Sequence, residues 1–223
     1  MNYPHQKELD WLAVDGKSLR STLRDFGDKS QNFVMIVSLF SQRIGCVLNL
    51  KRLENLHCSE ISQAQDIVRA CHLKGKVINF DALHCNQKTA ALVIESGNDY
   101  IMALKKNQKK LYEQVEALIK SENPFSVDVT QEHSYGRKIT RKVSIYQVNS
   151  YFHKGWKNLK LVIQINEVAT EEKSPTKKKY IILVVSLTRL KPWLKSLKDI
   201  GALRINAIGE AWVQNLRPHI ECR

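Results

Sequence analysis

The architecture of this chain follows from one stretch of its 223 residues, Lys76-Val77-Ile78-Asn79-Phe80-Asp81-Ala82-Leu83-His84-Cys85. The apolar, β-branched run from Val77 to Phe80 predicts a short buried strand, and a helical pattern begins at Asn86. Asp81 is therefore expected at the carboxyl end of a strand. In open α/β sheets, ligands and catalytic groups collect at this edge because loops and helix N-termini converge there.

A second stretch, nearer the N-terminus, repeats this arrangement. The apolar run Trp11-Leu12-Ala13-Val14 is closed by Asp15 and then by Gly16-Lys17-Ser18-Leu19-Arg20. Two strand-terminal aspartates, each beside basic residues, indicate a metal-dependent phosphate site. The alternative is structural, since an aspartate after a strand commonly forms a turn or caps a helix through nearby backbone amides.

The segments between the two aspartates predict how their strands meet. Residues 31–40 and 44–50 read as a hairpin, which with the Asp15 strand makes an antiparallel meander. Residues 59–71 carry apolar residues at helical spacing, with Ser59 as the N-cap. A right-handed crossover through this helix lays the Asp81 strand parallel to the Asp15 strand and beside it. We therefore predict an α/β fold whose mixed sheet has three antiparallel strands and then parallel strands, flanked by helices.

The rest of the chain continues this alternation and then turns to strands. A helix is predicted over residues 87–96, a strand over 100–104, and a second helix that begins in a lysine-rich run from Lys105 to Lys110. Four lysines within these six residues predict contact with phosphate, with an ordinary solvated helix start as the alternative. After Pro124, extended segments are predicted over 125–130, 144–151, 159–168 and 180–187.

The charge balance points to a polyanionic partner. Lys and Arg total 35 against 22 Asp and Glu, which gives a formal net charge of +13. Nucleic acid is the commonest such partner because neutralised phosphates release counterions, while a basic solvated surface is the alternative. No apolar run approaches the roughly 18–20 residues of a membrane helix, and residues 1–10 lack the apolar core of a signal peptide. A cytoplasmic protein without a membrane partner is therefore expected.

The five cysteines form a scattered, odd-numbered set without a CxxC pair, which favours reduced thiols over a disulfide framework. Three of them adjoin histidines, at 57–58, 71–72 and 84–85. Structural zinc ligands usually come as pairs with two to five residues between them, so these adjacent pairs favour ordinary packing over a zinc site.

Three blocks of sequence carry a resemblance to a known family. They are AVDGKSLR at 13–20, FDALHCNQKTA at 80–90 and DYIMALKKNQKKLYEQV at 99–115. In this order they resemble signature blocks of the ISAs1 family of insertion-sequence transposases, also called H-repeat-associated proteins, from about Glu8 to about Leu190. The resemblance implies a ribonuclease H-like core, which agrees with the order of strand, strand, strand, helix, strand.

The resemblance also implies a DDE active site. Asp15 and Asp81 would be the first two acids and would hold Mg²⁺ or Mn²⁺, since a divalent cation relieves the repulsion of two close carboxylates. DNA, as insertion-sequence ends and target, would be the partner. The basic residues implied to contact its phosphates are Lys17, Arg20, Lys105, Lys106, Arg137 and Arg141. A homo-oligomer is left open.

The third acid of the triad is where the chain departs from the family pattern. Family members carry a block that resembles His-Gly-Arg-x-Glu-x-Arg. The corresponding block of this chain reads Tyr-Gly-Arg-Lys-Ile-Thr-Arg over residues 135–141. Ile139 therefore stands in place of the glutamate and cannot bind a metal ion. Glu132, seven residues earlier, is a weak substitute candidate. A two-metal mechanism is expected to be impaired by this change.

The C-terminal part departs as well, because an Arg-x-His-Trp-x-Ile-Glu-Asn-like block of the family has no counterpart in residues 203–223. The expected organisation is a short N-terminal segment (1–10), a ribonuclease H-like core (11–200, β-rich over about 125–187) and an aberrant tail (201–223) of a truncated chain. Three hypotheses follow: a transposase that cuts and joins DNA, a catalytically inactive DNA-binding form, and a pseudogene product without activity.

Overall fold

The computed structural model describes residues 11–19, 32–54, 58–134, 137–148, 155–170 and 175–185. This part of the chain holds nine strands and three α-helices. In chain order they are β1 (Trp11–Ser18), β2 (Val34–Ser41), β3 (Cys46–Glu54), α1 (Glu60–Ala70), β4 (Val77–Phe80), α2 (Gln87–Glu95), β5 (Asp99–Leu104), α3 (Lys109–Ser121), β6 (Ser126–Ser134), β7 (Arg137–Gln147), β8 (Leu159–Thr170) and β9 (Pro175–Val185).

All nine strands form one mixed sheet in the order β3-β2-β1-β4-β5-β9-β8-β7-β6. The predicted meander is confirmed, because β1, β2 and β3 pair antiparallel in sequence. The parallel strands are confirmed too, since β4 pairs parallel with both β1 and β5. The fold is α/β as predicted, and the two aspartates belong to neighbouring strands.

The helices form where local signals predict them. The side chain of Ser59 accepts a hydrogen bond from the Ser62 amide and caps α1, and Asn86 caps α2 in the same way through the Thr89 amide. At its other end α2 is followed by Gly97 at a φ of 79°, a conformation that favours glycine. Helix α1 buries Ala64, Ile67 and Val68 in the central core, where they join apolar residues of the sheet.

Strands β1 and β7 extend well beyond the residues that the sequence patterns predict, and β3, β6, β8 and β9 also pass their predicted bounds. Strand β1 does not end at Asp15 but continues to Ser18, because its antiparallel partner β2 keeps pairing as far as Ser18 with Met35. Strand β7 begins at Arg137 and not at residue 144, because β6 and β8 pair with it along its first residues. Polar and charged residues in these extensions hide the pattern on which strand prediction depends.

The second half of the sheet reaches past the edge where β4 and β5 end. Leu104, the last residue of β5, lies level with Ile181 and, through β8, with Gln164. Strand β8 continues from Gln164 for six more residues to Thr170, which at about 3.3 Å per residue is roughly 20 Å. We call this extension the β arm; it consists of residues 128–134, 137–143, 165–170 and 175–180.

Several predictions concern residues outside the described ranges. They are the N-terminal segment 1–10, Arg20, the tail 201–223, and Tyr135 and Gly136 of the block in which the chain departs from the family pattern. Within the described ranges, no helix is long and apolar enough to cross a membrane.

Candidate active site

Asp15 and Asp81 lie level with each other on adjacent strands. The last residues paired between β1 and β4 are Ala13 and Asn79, and each aspartate is two residues farther along its own strand direction. Asp15 is half-buried, whereas the Asp81 side chain is 63% exposed at the start of the loop that leads to α2. The structure therefore brings the two aspartates to one edge of the sheet, as the sequence predicts, and their role as metal ligands stays a prediction.

The electrostatics of this edge disfavour negative charge on Asp15. Burial raises the pKa of Asp15 above its ordinary value of 3.8, and the carboxylates of Asp81 and Glu60 raise it further. A backbone hydrogen bond from Gly16 and the proximity of His84 act in the opposite direction on the same pKa. Like charges gathered in a partly desolvated place are the condition that a bound cation relieves.

Asp81 also performs the structural role that was the alternative reading. Its Oδ1 accepts a hydrogen bond of 2.9 Å from the Leu83 amide and a longer one of 3.4 Å from the His84 amide. These bonds fix the turn after β4 and orient the carboxylate at the same time. Turn formation and metal binding are therefore compatible in this residue.

Two residues that the sequence analysis did not select lie beside the aspartates. The Nε2 atom of His84 lies 3.2 Å from Glu60 Oε1 and 3.9 Å from Asp81 Oδ1. Glu60 begins α1 and would ordinarily be interpreted as a first-turn acid that complements the helix dipole. His84 belongs to the Asp81 stretch, where the sequence indicates only ordinary packing beside Cys85. For Glu60, a signal was available in the predicted crossover, because it brings the start of α1 back towards the sheet.

The lysine-rich run lies next to the Asp81 turn. Lys105 precedes a 3-10 turn (Lys106–Gln108) that leads into α3. Within that turn, Asn107 Nδ2 donates a hydrogen bond of 2.6 Å to the carbonyl oxygen of Ala82, the residue after Asp81. Lys105 and Lys106 are exposed. The phosphate-contact candidates of this run are thus attached directly to the turn that carries a candidate metal ligand.

The other candidate DNA contacts lie beside Asp15 and on the β arm. Lys17 is exposed on β1, two residues beyond Asp15 and so on the same face of the strand. Arg137 is exposed at the tip of the β arm, where it pairs across the hairpin with Ser134. The β arm carries further exposed lysines at 138, 142, 177 and 178.

The structure gives Arg141 a different environment from that of a phosphate contact. Its side chain is 9% exposed, and it binds Glu132 through Nη1 and Glu167 through Nε, both at 2.8 Å. The prediction of a DNA contact is corrected on this point, because the guanidinium is buried and engaged by two carboxylates within the β arm. Glu132 is likewise committed to Arg141.

Ile139 and Glu132 lie far from the aspartates along the sheet. They are directly opposite each other on β7 and β6. Strand β7 is four places from β4 in the sheet order and β6 is five, which at about 4.8 Å per strand is roughly 19 and 24 Å. Both residues also lie in the β arm, beyond the end of β5. Glu132 therefore does not join the aspartates, and neither does position 139.

The donor set at the sheet edge suits a hard divalent cation. Asp15, Asp81 and Glu60 offer carboxylate oxygens, which Mg²⁺ and Mn²⁺ prefer. As the side chains stand, no three His, Cys, Asp or Glu residues of the described ranges are arranged to hold an ion. Zinc through Cys85 is disfavoured, because burial and the charge of Asp81 raise the pKa of this thiol to about 12.

Comparisons with known proteins show which family the chain is similar to. The family model of the transposase DDE domain matches residues 7–201. "Putative transposase YncI" of Escherichia coli strain K12 is 33% identical over 140 residues, covering 58% of this chain and 53% of its own length. "H repeat-associated putative transposase YbfD" of the same strain is 29% identical over 147 residues, covering 63% and 56%.

A third relative, "Uncharacterized protein in dhlA 3'region" of Xanthobacter autotrophicus, is 26% identical over 162 residues, covering 70% of this chain and 54% of its own length. The chain thus spans about half the length of these curated relatives. Among solved structures, Streptomyces venezuelae DesVI covers 55% of this chain and 50% of its own at 8% identity, but its TM-score of 0.26 is too low to indicate a shared fold.

Proposed function

The chain belongs to the transposase DDE domain family, and from this premise we propose that it acts on DNA in the transposition of an insertion sequence of the ISAs1 type. The observation that carries the proposal is the level placement of Asp15 and Asp81 at one sheet edge, with the lysine-rich turn bonded to the Asp81 loop. The substrates are the ends of the element and a target DNA, and the work is done in the cytoplasm at the nucleoid.

The proposed reaction is phosphodiester cleavage by water followed by attack of the freed 3′-hydroxyl on target DNA. Mg²⁺ or Mn²⁺, when bound, would polarise the phosphate and stabilise the attacking and leaving oxygens. Asp15 and Asp81 would hold the ion. Burial and the negative charges of Asp81 and Glu60 raise the pKa of Asp15, and this supports the role because a bound cation favours the ionised carboxylate.

DNA is proposed to cross the basic surface that adjoins this edge. Lys17, Lys105 and Lys106 would contact phosphates near the aspartates, and Arg137 would do so at the tip of the β arm. Arg20 is retained as a candidate from the sequence alone. Each phosphate contact contributes through counterion release, so binding should weaken steeply with salt.

Cleavage by this chain is proposed to be impaired. Neither Ile139, at the position that the family resemblance assigns to the third acid, nor Glu132, whose carboxylate binds Arg141, lies beside the aspartates. A site without the family's third acid would bind an ion more weakly and position the attacking oxygen less well. The alternative is a DNA-binding protein without cleavage, either a regulator that occupies the ends of the element or an inactive product.

The test is DNA binding and nicking measured on the same purified chain. We expect salt-sensitive binding to duplex DNA, and slow or absent nicking in Mg²⁺ or Mn²⁺. Any nicking must disappear in Asp81→Ala, with Glu113→Ala on the exposed face of α3 as a matched carboxylate control. Rapid nicking that Asp81→Ala abolishes would contradict impairment but support the transposase assignment. Absence of DNA binding at low salt would contradict the function itself.

A further inference from the structure

Glu60 is held at the aspartate edge by the packing of the helix that it begins. Helix α1 follows the hairpin β2–β3 and lies on the sheet through its buried Ala64, Ile67 and Val68. With this face buried and Ser59 capping the first turn, the position of Glu60 is fixed by the core and not by a loop. The Glu60 side chain is only 16% exposed.

The carboxylate of Glu60 lies against the backbone of Gly16, the residue after Asp15. A Cβ built on Gly16 would overlap the Glu60 carboxylate, with Oε2 at 2.8 Å and Oε1 nearer still. This close approach explains a glycine in the middle of a strand, where glycine is otherwise unfavourable. It also explains why Glu60 contributes to the raised pKa of Asp15.

His84 also contacts this cluster. Its ring is 1% exposed, lies 5.9 Å from the Phe80 ring, and directs Nε2 at Glu60 Oε1 and Asp81 Oδ1. Its second nitrogen, Nδ1, is buried and has no hydrogen-bond partner among the described residues. Burying a histidine with one nitrogen unsatisfied is costly. The His84 ring is buried despite this cost and directs Nε2 at two carboxylates, which indicates that it positions them.

We propose that Glu60 is a third acidic ligand of the Asp15–Asp81 site and that His84 is the positioning residue that holds its carboxylate there. This inference rests on the proposed function, because it assigns a residue to the same metal site. The three carboxylates come from β1, from the turn after β4, and from the first turn of α1. Together they give the oxygen-rich donor set that Mg²⁺ and Mn²⁺ require.

Glu60 has two carboxylate oxygens, so it can keep one partner and gain another. Its Oε1 accepts from His84 Nε2–H, and its Oε2 would bind the cation together with the two aspartates. His84 would thus hold the carboxylate in place whether or not an ion is bound.

A competing explanation is that Glu60 and His84 form only a structural contact that fixes the start of α1. The two explanations differ in what happens to metal affinity. A structural contact affects folding stability, whereas a ligand affects the dissociation constant of the ion as well.

The experiment measures Mn²⁺ binding by electron paramagnetic resonance of the free ion, together with the melting temperature with and without Mn²⁺. The variants are Glu60→Gln, which keeps the size and hydrogen-bonding capacity of the side chain, and Gly16→Ala, which displaces its carboxylate without removing charge. Asp81→Asn is the reference variant at the site, and Glu113→Gln is the matched control outside it. Far-UV circular dichroism confirms folding.

We expect Glu60→Gln and Gly16→Ala each to weaken Mn²⁺ binding roughly tenfold or more, and Glu113→Gln to leave it unchanged. If the wild-type chain binds Mn²⁺, Asp81→Asn loses it and Glu60→Gln retains full affinity, the inference is wrong and the two-aspartate site stands. If the wild-type chain binds no Mn²⁺, the proposed metal site itself is wrong, and the inference falls with it.

Discussion

Asn107 donates a 2.6 Å hydrogen bond to the carbonyl oxygen of Ala82, and this contact joins the lysine-rich turn before α3 to the turn that carries Asp81. The two turns follow adjacent parallel strands, β5 and β4. The candidate phosphate contacts and the candidate metal ligand are thereby held at a fixed separation by a neutral side chain. The contact can be removed without changing the charge of either turn.

Asn107→Ala should lower DNA affinity without changing its salt dependence. The variant loses a hydrogen bond worth about 1 kcal/mol, which should lower the melting temperature by roughly 2–4 °C. It removes no cation, so the slope of log affinity against log salt should stay constant. The double variant Lys105→Ala/Lys106→Ala should instead reduce that slope by about 2. A reduced slope in Asn107→Ala would show that the turn has lost its phosphate contacts altogether.

Asp15→Asn should make the metal-free protein more stable at neutral pH. The folded state raises the pKa of Asp15 through burial and the charges of Asp81 and Glu60, so it binds a proton more tightly than the unfolded chain does. This group therefore favours folding at low pH and opposes it as pH rises from 3.8 through the folded pKa. We therefore expect a higher melting temperature than that of the wild-type chain at pH 7.

Asp15→Asn should also flatten the dependence of the melting temperature on pH between 3.8 and the pKa of Asp15 in the folded state. It should abolish any stabilisation by Mn²⁺. Asp128→Asn, in the β arm, is the control and should change neither. An unchanged or lower melting temperature in Asp15→Asn would argue against repulsion at the sheet edge.

Arg141→Ala should destabilise the β arm by about 2–3 kcal/mol. It leaves the carboxylates of Glu132 and Glu167 without their shared cation. Glu132→Ala should cost less than about 1 kcal/mol, because the Glu132 side chain is 46% exposed. Chemical denaturation measures both, with Lys142→Ala, the exposed neighbour on β7, as control. Equal costs for Arg141→Ala and Lys142→Ala would contradict the buried position of Arg141.

Ile139→Glu should not restore catalysis or metal affinity. The new carboxylate would lie opposite Glu132 on the next strand, four places from β4 in the sheet, and like charges directly opposite destabilise a sheet. We expect a lower melting temperature, unchanged Mn²⁺ affinity and no gain in DNA nicking. A gain in metal-dependent nicking would show that β7 can approach the aspartates, and that Ile139 alone accounts for the impairment.

The sequence predicts the parts of this fold that local chemistry determines. Strand β4, the caps of α1 and α2, and the helix after the lysine run follow from apolar spacing and capping residues. The parallel contact of β1 and β4 follows from the handedness of the crossover. The meeting of Asp15 and Asp81 was therefore predictable from sequence.

The remaining features depend on partners that are distant in sequence. Nothing near Asp15 indicates that β2 extends its strand to Ser18, and nothing near residue 137 indicates pairing with β6 and β8. The burial of Arg141 requires Glu167 from the next strand. Glu60 resembles an ordinary helix-start acid until the crossover places it against Gly16. These are tertiary effects, and they override local propensity.

The central position of β9 determines when this sheet can be completed. It pairs with β5 on one side and β8 on the other, yet the ribosome makes it after the other eight described strands. Met102 pairs with Leu183, which lies 81 residues later in the chain. Pairings of such sequence separation form slowly. Until then β5 and β8 both present unpaired edges, and such edges are open to mispairing with other chains during synthesis.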